Sequence, residues 1–240
     1  MQSLQYSLLS AVLCIATSTL AQEAAIRKNL GERITQLPKI DEVSKTPLPG
    51  IFEIRVNGAD IYYTDAQANY LIQGNLIDTR QRRNLTQERM DKLTAIHFDA
   101  LPTKDAFTIV RGDGRRRIAV FEDPNCGYCK KFEKDLLKVS NVTIHLFLYP
   151  ILGAGSHDRA KNIWCAKDKV KAWQDWMVRD IVPPEATCDR EALVRNVELG
   201  HKYKITGTPT LVFADGSRVP GAVGPDQIEQ RLSQQTAKGR

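Results

Sequence analysis

The sequence predicts an α+β protein of two domains, in which a small antiparallel sheet precedes a larger unit of alternating strands and helices. Phe52, Ile54 and Val56 alternate with charged residues, as in a half-buried strand, and Asn57–Gly58 follows as a hairpin turn. In the second half of the chain, apolar strand-like segments alternate with helical segments, which indicates a sheet covered by helices. A polar, arginine-rich stretch between the two halves indicates a linker.

These patterns divide the chain into four segments. We predict a secretory signal peptide over 1–21, an N-terminal domain over 22–79, a linker with a helix over 80–104 and a C-terminal domain over 105–240. The first segment carries no charged side chain, contains the apolar run Leu8–Ala16 and ends in the small-residue cleavage site Thr19–Ala21. An uncleaved anchor helix is the alternative, although the apolar run is short for a bilayer. Export would remove Cys14 and place the other four of the five cysteines in an oxidising compartment.

The composition is that of a globular protein with a modest positive charge. Apolar residues make up 42% of the chain, and 34 Lys and Arg against 28 Asp and Glu give a formal net charge of +6. The basic residues are dispersed among acidic ones, which argues against a nucleic-acid partner. The densest basic cluster, Arg115–Arg117, follows Gly112–Gly114, and we expect it to open a solvated hairpin.

The N-terminal half is expected to form a helix and a small sheet, followed by the linker helix. The predicted bounds are Glu23–Leu37 for the first helix, Ile61–Thr64 and Tyr70–Ile77 for the strands after the hairpin turn, Arg80–Asn84 for the polar linker and Thr86–Asp99 for the linker helix. Proline and glycine residues between Pro38 and Gly50 break the first pattern, and Pro102 ends the last. A domain of about 60 residues has a marginal core, so dimerisation would stabilise it.

The C-terminal half is expected to form an α/β sheet. The predicted elements are strands Phe107–Arg111, Arg117–Phe121, Val142–Leu148, Thr210–Phe213 and Arg218–Pro220, helices Cys126–Val139 and Pro225–Ser233, and further helices that open the segment Ser156–Ser217. The first two strands flank the glycine turn, so we expect that turn to join them. Trp164, Trp173 and Trp176 recur at roughly helical spacing, which predicts core packing rather than a binding platform.

The motif Cys126–Gly127–Tyr128–Cys129 follows a predicted buried strand and begins a predicted helix. At a helix start, unpaired backbone N–H groups and the helix dipole favour a thiolate, so Cys126 is expected to be the attacking sulfur. Cys129 lies one turn further in and is expected to be the less accessible, resolving sulfur. Gly127 and Tyr128 would tune how strongly the reduced form is preferred.

A Cys-x-x-Cys motif also occurs in zinc sites and in ordinary structural disulfides, and both are alternatives here. A structural zinc site needs four ligands, but Cys165 and Cys188 do not form a second closely spaced pair. The four histidines show no ligand spacing, and His157 and His201 are expected at the surface or as caps. We therefore predict no metal, and no cofactor beyond the redox-active disulfide of the motif itself.

A second signal lies far along the chain, at Gly207–Thr208–Pro209. A proline that opens a strand after a tight turn is a position where a cis peptide bond occurs. A trans proline at a strand start is the simpler alternative. The strand, Cys-x-x-Cys motif and helix upstream favour the cis form.

Together these features resemble the thioredoxin fold, and the whole mature chain resembles the bacterial periplasmic disulfide isomerase family typified by DsbC and DsbG. The matching stretches are Cys126–Cys129, Ile163–Lys169, Gly207–Pro209, Tyr63–Asp65 and Ile72–Gly74. The Cys-Gly-Tyr-Cys spelling is closer to the DsbC branch. The resemblance implies a cystatin-like N-terminal dimerisation domain, a thioredoxin-fold catalytic domain with a helical insert, and a V-shaped homodimer around an uncharged cleft.

The resemblance also implies roles for individual residues. Cys126 becomes the nucleophile and Cys129 the resolving thiol, while Thr208 and cis-Pro209 lie against the disulfide and hold substrate backbone. The implied protein is periplasmic, rearranges disulfides in misfolded exported proteins, and is kept reduced by a membrane reductase of the DsbD type. Alternatives are reduction of oxidised single cysteines, net oxidation of dithiols, and a non-enzymatic dimeric chaperone.

One departure from the wider thioredoxin fold concerns a buried acid. Thioredoxins place an acid where this chain has Val120, and the nearest acids here are Glu122 and Asp123. Either could help to deprotonate Cys129, but a solvated pair in a loop is the commoner role for such residues.

The remaining cysteines, Cys165 and Cys188, flank a helical segment that contains tryptophans. We expect a structural disulfide that closes this insert and contributes about 3 kcal/mol of stability in the chain-entropy model. A second redox-active pair is the alternative, which the long separation disfavours.

Overall fold

A computed structural model describes residues 20–238. The chain forms two compact units, and the boundary between them in the sequence falls between Leu93 and Thr94. Except for its last two residues, the predicted signal peptide over 1–21 lies outside the described residues. Over the range 20–238, no helix has both the length and the apolar character that a membrane crossing requires.

The first unit is a four-stranded antiparallel sheet with a helix packed on it. Its elements are α1 (20–33), β1 (Ile40–Lys45), β2 (Ile51–Val56), β3 (Asp60–Asp65), β4 (Leu71–Ile72), β5 (Ile77–Asp78), β6 (Arg83–Asn84) and α2 (Leu85–Leu93). The sheet order is β1-β2-β3-β4, and β5 and β6 form a separate two-stranded ladder. Ile26 and Leu30 of α1 share one core with Ile54 and Val56 of β2, because helical and strand periodicity each bring apolar side chains to one face.

Strand β1 is absent from the sequence-based prediction. Its register against β2 shifts between Ile40 and Glu42, which is the mark of a β-bulge. The bulge inserts a residue into the alternation of apolar and polar side chains, so the pattern that identifies a strand is interrupted there.

The predicted strand over Tyr70–Ile77 is wrong for most of its length. Only Leu71–Ile72 pairs with β3, and Ile77 pairs with Asn84 instead. The predicted polar linker Arg80–Asn84 consequently ends in a strand.

The predicted linker helix over Thr86–Asp99 is too long, because α2 ends at Leu93. Beyond it, the backbone N–H of Ile96 donates to the carbonyl oxygen of Gly216 at 2.9 Å, which an α-helix would not allow. Ile96 and Phe98 are buried in a core of the second unit. Their apolar side chains therefore serve that core rather than a face of α2.

The second unit contains a five-stranded sheet with helices on both faces. Its elements are β7 (Phe107–Arg111), β8 (Arg116–Glu122), α3 (Gly127–Leu136), β9 (Val142–Leu148), α4 (Ala154–Trp164), α5 (Lys169–Arg179), α6 (Glu191–Lys202), β10 (Thr210–Phe213), β11 (Arg218–Pro220) and α7 (Pro225–Lys238). With the first unit, this confirms the prediction of a two-domain α+β protein.

Strand β9 lies between β7 and β8, so the predicted hairpin of those two strands is wrong. The order is β11-β10-β8-β9-β7, with β8 and β9 parallel and the other neighbours antiparallel. Gly112 turns the chain at φ +59°, and a Cβ there would lie 2.1 Å from Oδ1 of Asn141, the residue before β9. Glycine at this position therefore leaves room for the Asn141 side chain directly before β9. Arg116 of the predicted solvated cluster pairs with Glu229 of α7 instead of facing open water.

The two faces of the sheet carry separate apolar cores. Ile118 and Val120 of β8 join the core that contains α3, α5 and α7, whereas Ala119 and Phe121 join the opposite core. Successive strand residues point to opposite faces, so Glu122 at the end of β8 lies on the α3 side.

Candidate active site

The dithiol lies where β8 runs through a turn into α3. Cys126 is the N-cap of α3 with extended backbone angles (φ −78°, ψ 116°), and its sulfur accepts the backbone N–H of Cys129 at 3.4 Å. Both thiols are free, and Cys126 retains 6% exposure while Cys129 is fully buried. One sulfur therefore reaches the surface and the other lies beneath it.

Gly127 and Tyr128 form the exposed part of the motif. Tyr128 is 72% exposed, and nothing lies within 4 Å of the position that a Gly127 side chain would take. A molecule that binds at the dithiol can therefore contact both residues.

The loop that ends in Pro209 lies against the sulfur of Cys126. The Thr208–Pro209 peptide bond is cis, and the Cys126 thiol donates a hydrogen bond to the Thr208 carbonyl oxygen at 3.3 Å. This contact follows from the topology, because Thr210 of β10 pairs with Phe121 of β8, the strand that leads into the motif. Two motifs distant in sequence are brought together in this way.

The surroundings of Cys126 favour its ionised form. A hydrogen bond from the Cys129 thiol is the main cause that lowers the pKa of Cys126 to about 5. Burial acts in the opposite direction, but the Thr208 side chain and the backbone N–H groups of Cys129 and Tyr128 add to the lowering. Burial raises the pKa of Cys129, and its hydrogen bond to Cys126 and the Glu122 charge act in the same direction.

Two buried glutamates accompany the dithiol, Glu122 at the end of β8 and Glu133 on α3. Glu122 and Glu133 are both fully buried, and their carboxyl oxygens have no hydrogen-bond partner among the residues that the structure describes. Burial raises the pKa of Glu122 well above its usual range, and the Glu133 charge raises it further. The sequence reasoning missed Glu133, although its position four residues after Cys129 places it on the same helical face.

Asp123 differs from Glu122 because its carboxylate is fully engaged. It accepts hydrogen bonds from the Asn125 N–H and the Ser156 hydroxyl, both at 2.7 Å, and from the N–H groups of Ile151 and Leu152 at 2.7 and 2.9 Å. The expectation that Glu122 and Asp123 form a solvated loop pair is wrong, since both are fully buried.

The other predicted residues lie apart from the dithiol. Cys165 and Cys188 form a disulfide across 23 residues, with their Cα atoms 5.4 Å apart. His157 and His201 are exposed, and no cluster of potential metal ligands occurs within residues 20–238. Of the tryptophans, Trp164 and Trp173 are buried in the core and Trp176 is half-buried.

Comparisons with known proteins match both units of the chain. Residues 17–87 match the disulfide bond isomerase protein N-terminal domain, and residues 103–236 match a thioredoxin-like domain. The chain is 42% identical over 211 residues to the "Probable thiol:disulfide interchange protein DsbC" of Bordetella parapertussis, covering 88% of this chain and 74% of that protein. Identity to the DsbC of Salmonella typhimurium is 31% over 220 residues, covering 89% and 88%.

A solved structure agrees with these relatives. The disulfide interchange protein from Neisseria gonorrhoeae superposes with a TM-score of 0.53 at 34% identity, over 56% of this chain and 97% of that one. The resemblance stated from the sequence motifs is thereby confirmed. The chain belongs to the DsbC family of thiol:disulfide interchange proteins and is a thiol–disulfide oxidoreductase.

Proposed function

We propose that the chain is a periplasmic disulfide isomerase and reductase that rearranges incorrect disulfide bonds in exported proteins. The observation that carries this proposal is the inequality of the two thiols. Cys126, whose pKa is lowered to about 5, is a thiolate at neutral pH, whereas Cys129 is buried with a raised pKa. A thiolate is the attacking species in disulfide exchange, so only Cys126 begins the reaction.

In the first step, the Cys126 thiolate attacks one sulfur of an incorrect substrate disulfide. A new S–S bond joins Cys126 to that sulfur, and the other substrate sulfur leaves as a thiolate. That thiolate attacks a second disulfide of the same substrate and releases a different thiolate. The latter displaces Cys126 from the mixed disulfide, so the pairing changes without net transfer of electrons.

A second route ends a mixed disulfide that does not rearrange. Cys129 attacks the Cys126 sulfur, the substrate leaves reduced, and the enzyme is left with a Cys126–Cys129 disulfide. Cys129 must first lose its proton. The proposed acceptor is the ionised form of Glu122, together with Glu133, because among the described residues no hydrogen-bond donor occupies their carboxyl oxygens. Since burial favours the protonated form of Glu122, that carboxyl must itself release its proton before it accepts the proton of Cys129. Asp123 is unsuited to this role because four hydrogen bonds occupy its oxygens.

The oxidised enzyme must regain two electrons before it acts again. The proposed donor is a membrane reductase of the DsbD type, and the dithiol itself is the proposed redox group, with no separate cofactor. The proposed periplasmic location rests on the expected signal peptide and on membership of the DsbC family.

We propose that the protein acts as a homodimer joined through its first unit. Three large apolar side chains are exposed there: Tyr70 (73%), Ile72 (48%) and Ile77 (56%). Ile72 lies in β4, an edge strand of the sheet, Tyr70 directly precedes that strand, and Ile77 lies in β5. An edge strand that exposes apolar side chains pairs readily with another chain. The match of residues 17–87 to the isomerase N-terminal domain supports this interface.

Trapping of mixed disulfides tests the assignment of the two thiols. A Cys129→Ala variant expressed in the periplasm is expected to accumulate mixed disulfides with exported proteins, because the resolving thiol is missing. The matched Cys126→Ala variant, which keeps Cys129, is expected to accumulate none. Electrophoresis without reductant measures both.

Recovery of activity by a scrambled-disulfide substrate separates the enzyme from a chaperone. Wild type should restore the substrate, and Cys126→Ala should only suppress its aggregation. Equal trapping by both single variants, or full recovery with Cys126→Ala, would contradict the proposed function.

A further inference from the structure

The turn before the dithiol touches the helical segment that the second disulfide closes. Trp176 of α5 donates its indole N–H to the carbonyl oxygen of Pro124 at 2.5 Å, across 52 residues of sequence. Pro124 lies two residues before Cys126, and Trp176 is half-buried. The exchange reaction described above makes no use of this contact.

Two cations hold the Trp176 ring in place. The Lys130 ammonium lies 3.7 Å from the ring centroid, and the Arg159 guanidinium carbon lies 3.8 Å from it. Lys130 follows Cys129 in α3 and also pairs with Asp180, while Arg159 comes from α4. The indole is thus contacted by Lys130 of the active-site helix α3 and by Arg159 of α4, the helix that precedes the insert.

The turn that delivers Cys126 is held at two successive residues. Asp123 holds its beginning, because its carbonyl accepts the Cys126 N–H at 3.1 Å and its carboxylate accepts the Asn125 N–H at 2.7 Å. Trp176 holds the next residue, Pro124. The sulfur of Cys126 lies 3.4 Å from the Cys129 nitrogen. Hydrogen bonds to sulfur weaken quickly when distance and angle change, so small movements of the turn alter how well α3 stabilises the thiolate.

We propose that Trp176 is a positioning residue for disulfide exchange, which fixes the Pro124 carbonyl and so aligns the Cys126 sulfur with the N–H groups of α3. Lys130 and Arg159 hold the ring in the required orientation. The inference rests on the proposed role of Cys126 as nucleophile. It also gives the insert between Cys165 and Cys188 a part in reactivity, besides its part in stability.

The test is the substitution Trp176→Phe, which keeps an aromatic ring beside both cations and removes the N–H. The titration of the Cys126 thiolate, followed by its ultraviolet absorbance in the reduced protein, is expected to shift upward by about 0.5 to 1 pH unit, the equivalent of one lost hydrogen bond. The matched control is Trp173→Phe on the same helix. Trp173 is fully buried and its indole nitrogen lacks a hydrogen-bond partner among the described residues, so this control should lose stability without moving the titration.

The outcomes separate this inference from the proposed function. A folded Trp176→Phe protein that titrates like wild type, or an equal shift in Trp173→Phe, would overturn the positioning role. A wild-type protein in which Cys126 titrates like an ordinary cysteine would instead overturn the nucleophile assignment. If Trp176→Phe does not fold, Arg159→Met removes one cation from the ring and should shift the titration upward by a smaller amount. No shift in that variant would equally overturn the role.

Discussion

Burial of Glu122 lowers the stability of the folded protein at neutral pH, but it places a carboxyl group where the proposed proton transfer with Cys129 requires one. Burial raises the pKa of this carboxyl, so the folded protein keeps a proton that the unfolded chain releases above the ordinary glutamate pKa. A folded state that binds more protons loses stability as pH rises. Glu122 therefore costs stability at neutral pH and costs little at a pH below its ordinary pKa. A residue retained at such a cost fits a role in proton transfer to and from Cys129.

Substitution of Glu122 by Gln tests both sides of this opposition. The free energy of unfolding of the reduced protein should rise by about 1–3 kcal/mol at neutral pH and change little in acid, because the amide has no proton to lose and can donate to Glu133. The rate at which Cys129 releases a preformed mixed disulfide should fall. Urea denaturation at two pH values and single-turnover release measure the two effects.

The exposed Glu198 on α6 provides the control. Glu198→Gln should change neither quantity. A Glu122→Gln protein that is less stable at neutral pH, or that resolves mixed disulfides at the wild-type rate, would contradict the assigned role.

Single residues of the site differ in how far the sequence could predict them. Cys126 and Cys129 can be predicted from the sequence, because two cysteines three residues apart at the start of a helix are typical of a redox-active pair. Glu122 is harder, because strand alternation places it inward while its polar neighbours suggest a loop. Glu133 depends on which face of α3 meets β8, and that is a property of the packed sheet.

Among the elements, local patterns predicted strands better than their pairing. Gly112–Gly114 has the composition of a hairpin turn, and both flanking strands exist. The pairing is decided instead by β9, which lies parallel to β8 and between β8 and β7. That arrangement depends on contacts made by a strand that begins only at Val142, and no local propensity records it. The bulge in β1 likewise interrupts the alternation of apolar and polar residues, so the sequence pattern does not identify this strand.

The disulfide of the insert gives a prediction at this scale. A Cys165→Ser/Cys188→Ser protein should lose about 3 kcal/mol of unfolding free energy, because the unfolded chain is no longer restricted by the closed loop. It should keep the ability to form mixed disulfides through Cys126 when folded. Urea denaturation and trapping in the Cys129→Ala background measure these properties.

The complementary variant, Cys126→Ser/Cys129→Ser, should show the reverse pattern, with stability near that of the reduced wild type and no exchange. If the folded insert variant lost exchange without losing stability, the Cys165–Cys188 pair would be redox-active rather than structural.

For the whole molecule, the two units bury separate apolar clusters, which explains why the sequence predicts two domains. The first unit buries one apolar cluster, whereas the second buries one cluster on each face of its sheet. The small first unit leaves apolar side chains exposed at its last strand, as expected for a domain completed by a second copy. The sequence could predict the need for a partner from domain size, but the exposed residues become apparent only once β4 is known to be an edge.

Substitution of Ile72 by Lys tests the proposed dimer. A charged side chain on the edge strand should prevent association, so the sedimentation mass should fall from twice the chain mass to once that mass. Titration of the Cys126 thiolate should not change, because the dithiol belongs to the other unit. Val194→Lys, at an exposed apolar residue of α6, is the control and should remain dimeric. A wild-type protein that sediments as a monomer would contradict the interface.

The contact between Cys126 and Thr208 spans 82 residues and depends on β10, the penultimate strand. An exported chain that emerges from its N-terminus would present both motif cysteines long before this loop appears. During that interval, Cys126 lacks the Thr208 side chain, which helps to lower its pKa, and it stays closer to an ordinary thiol. Full reactivity is then acquired only when most of the polypeptide has emerged, after Cys165 and Cys188 have had time to pair. This order of emergence would limit attack by Cys126 on the Cys165–Cys188 disulfide of its own chain while that disulfide forms.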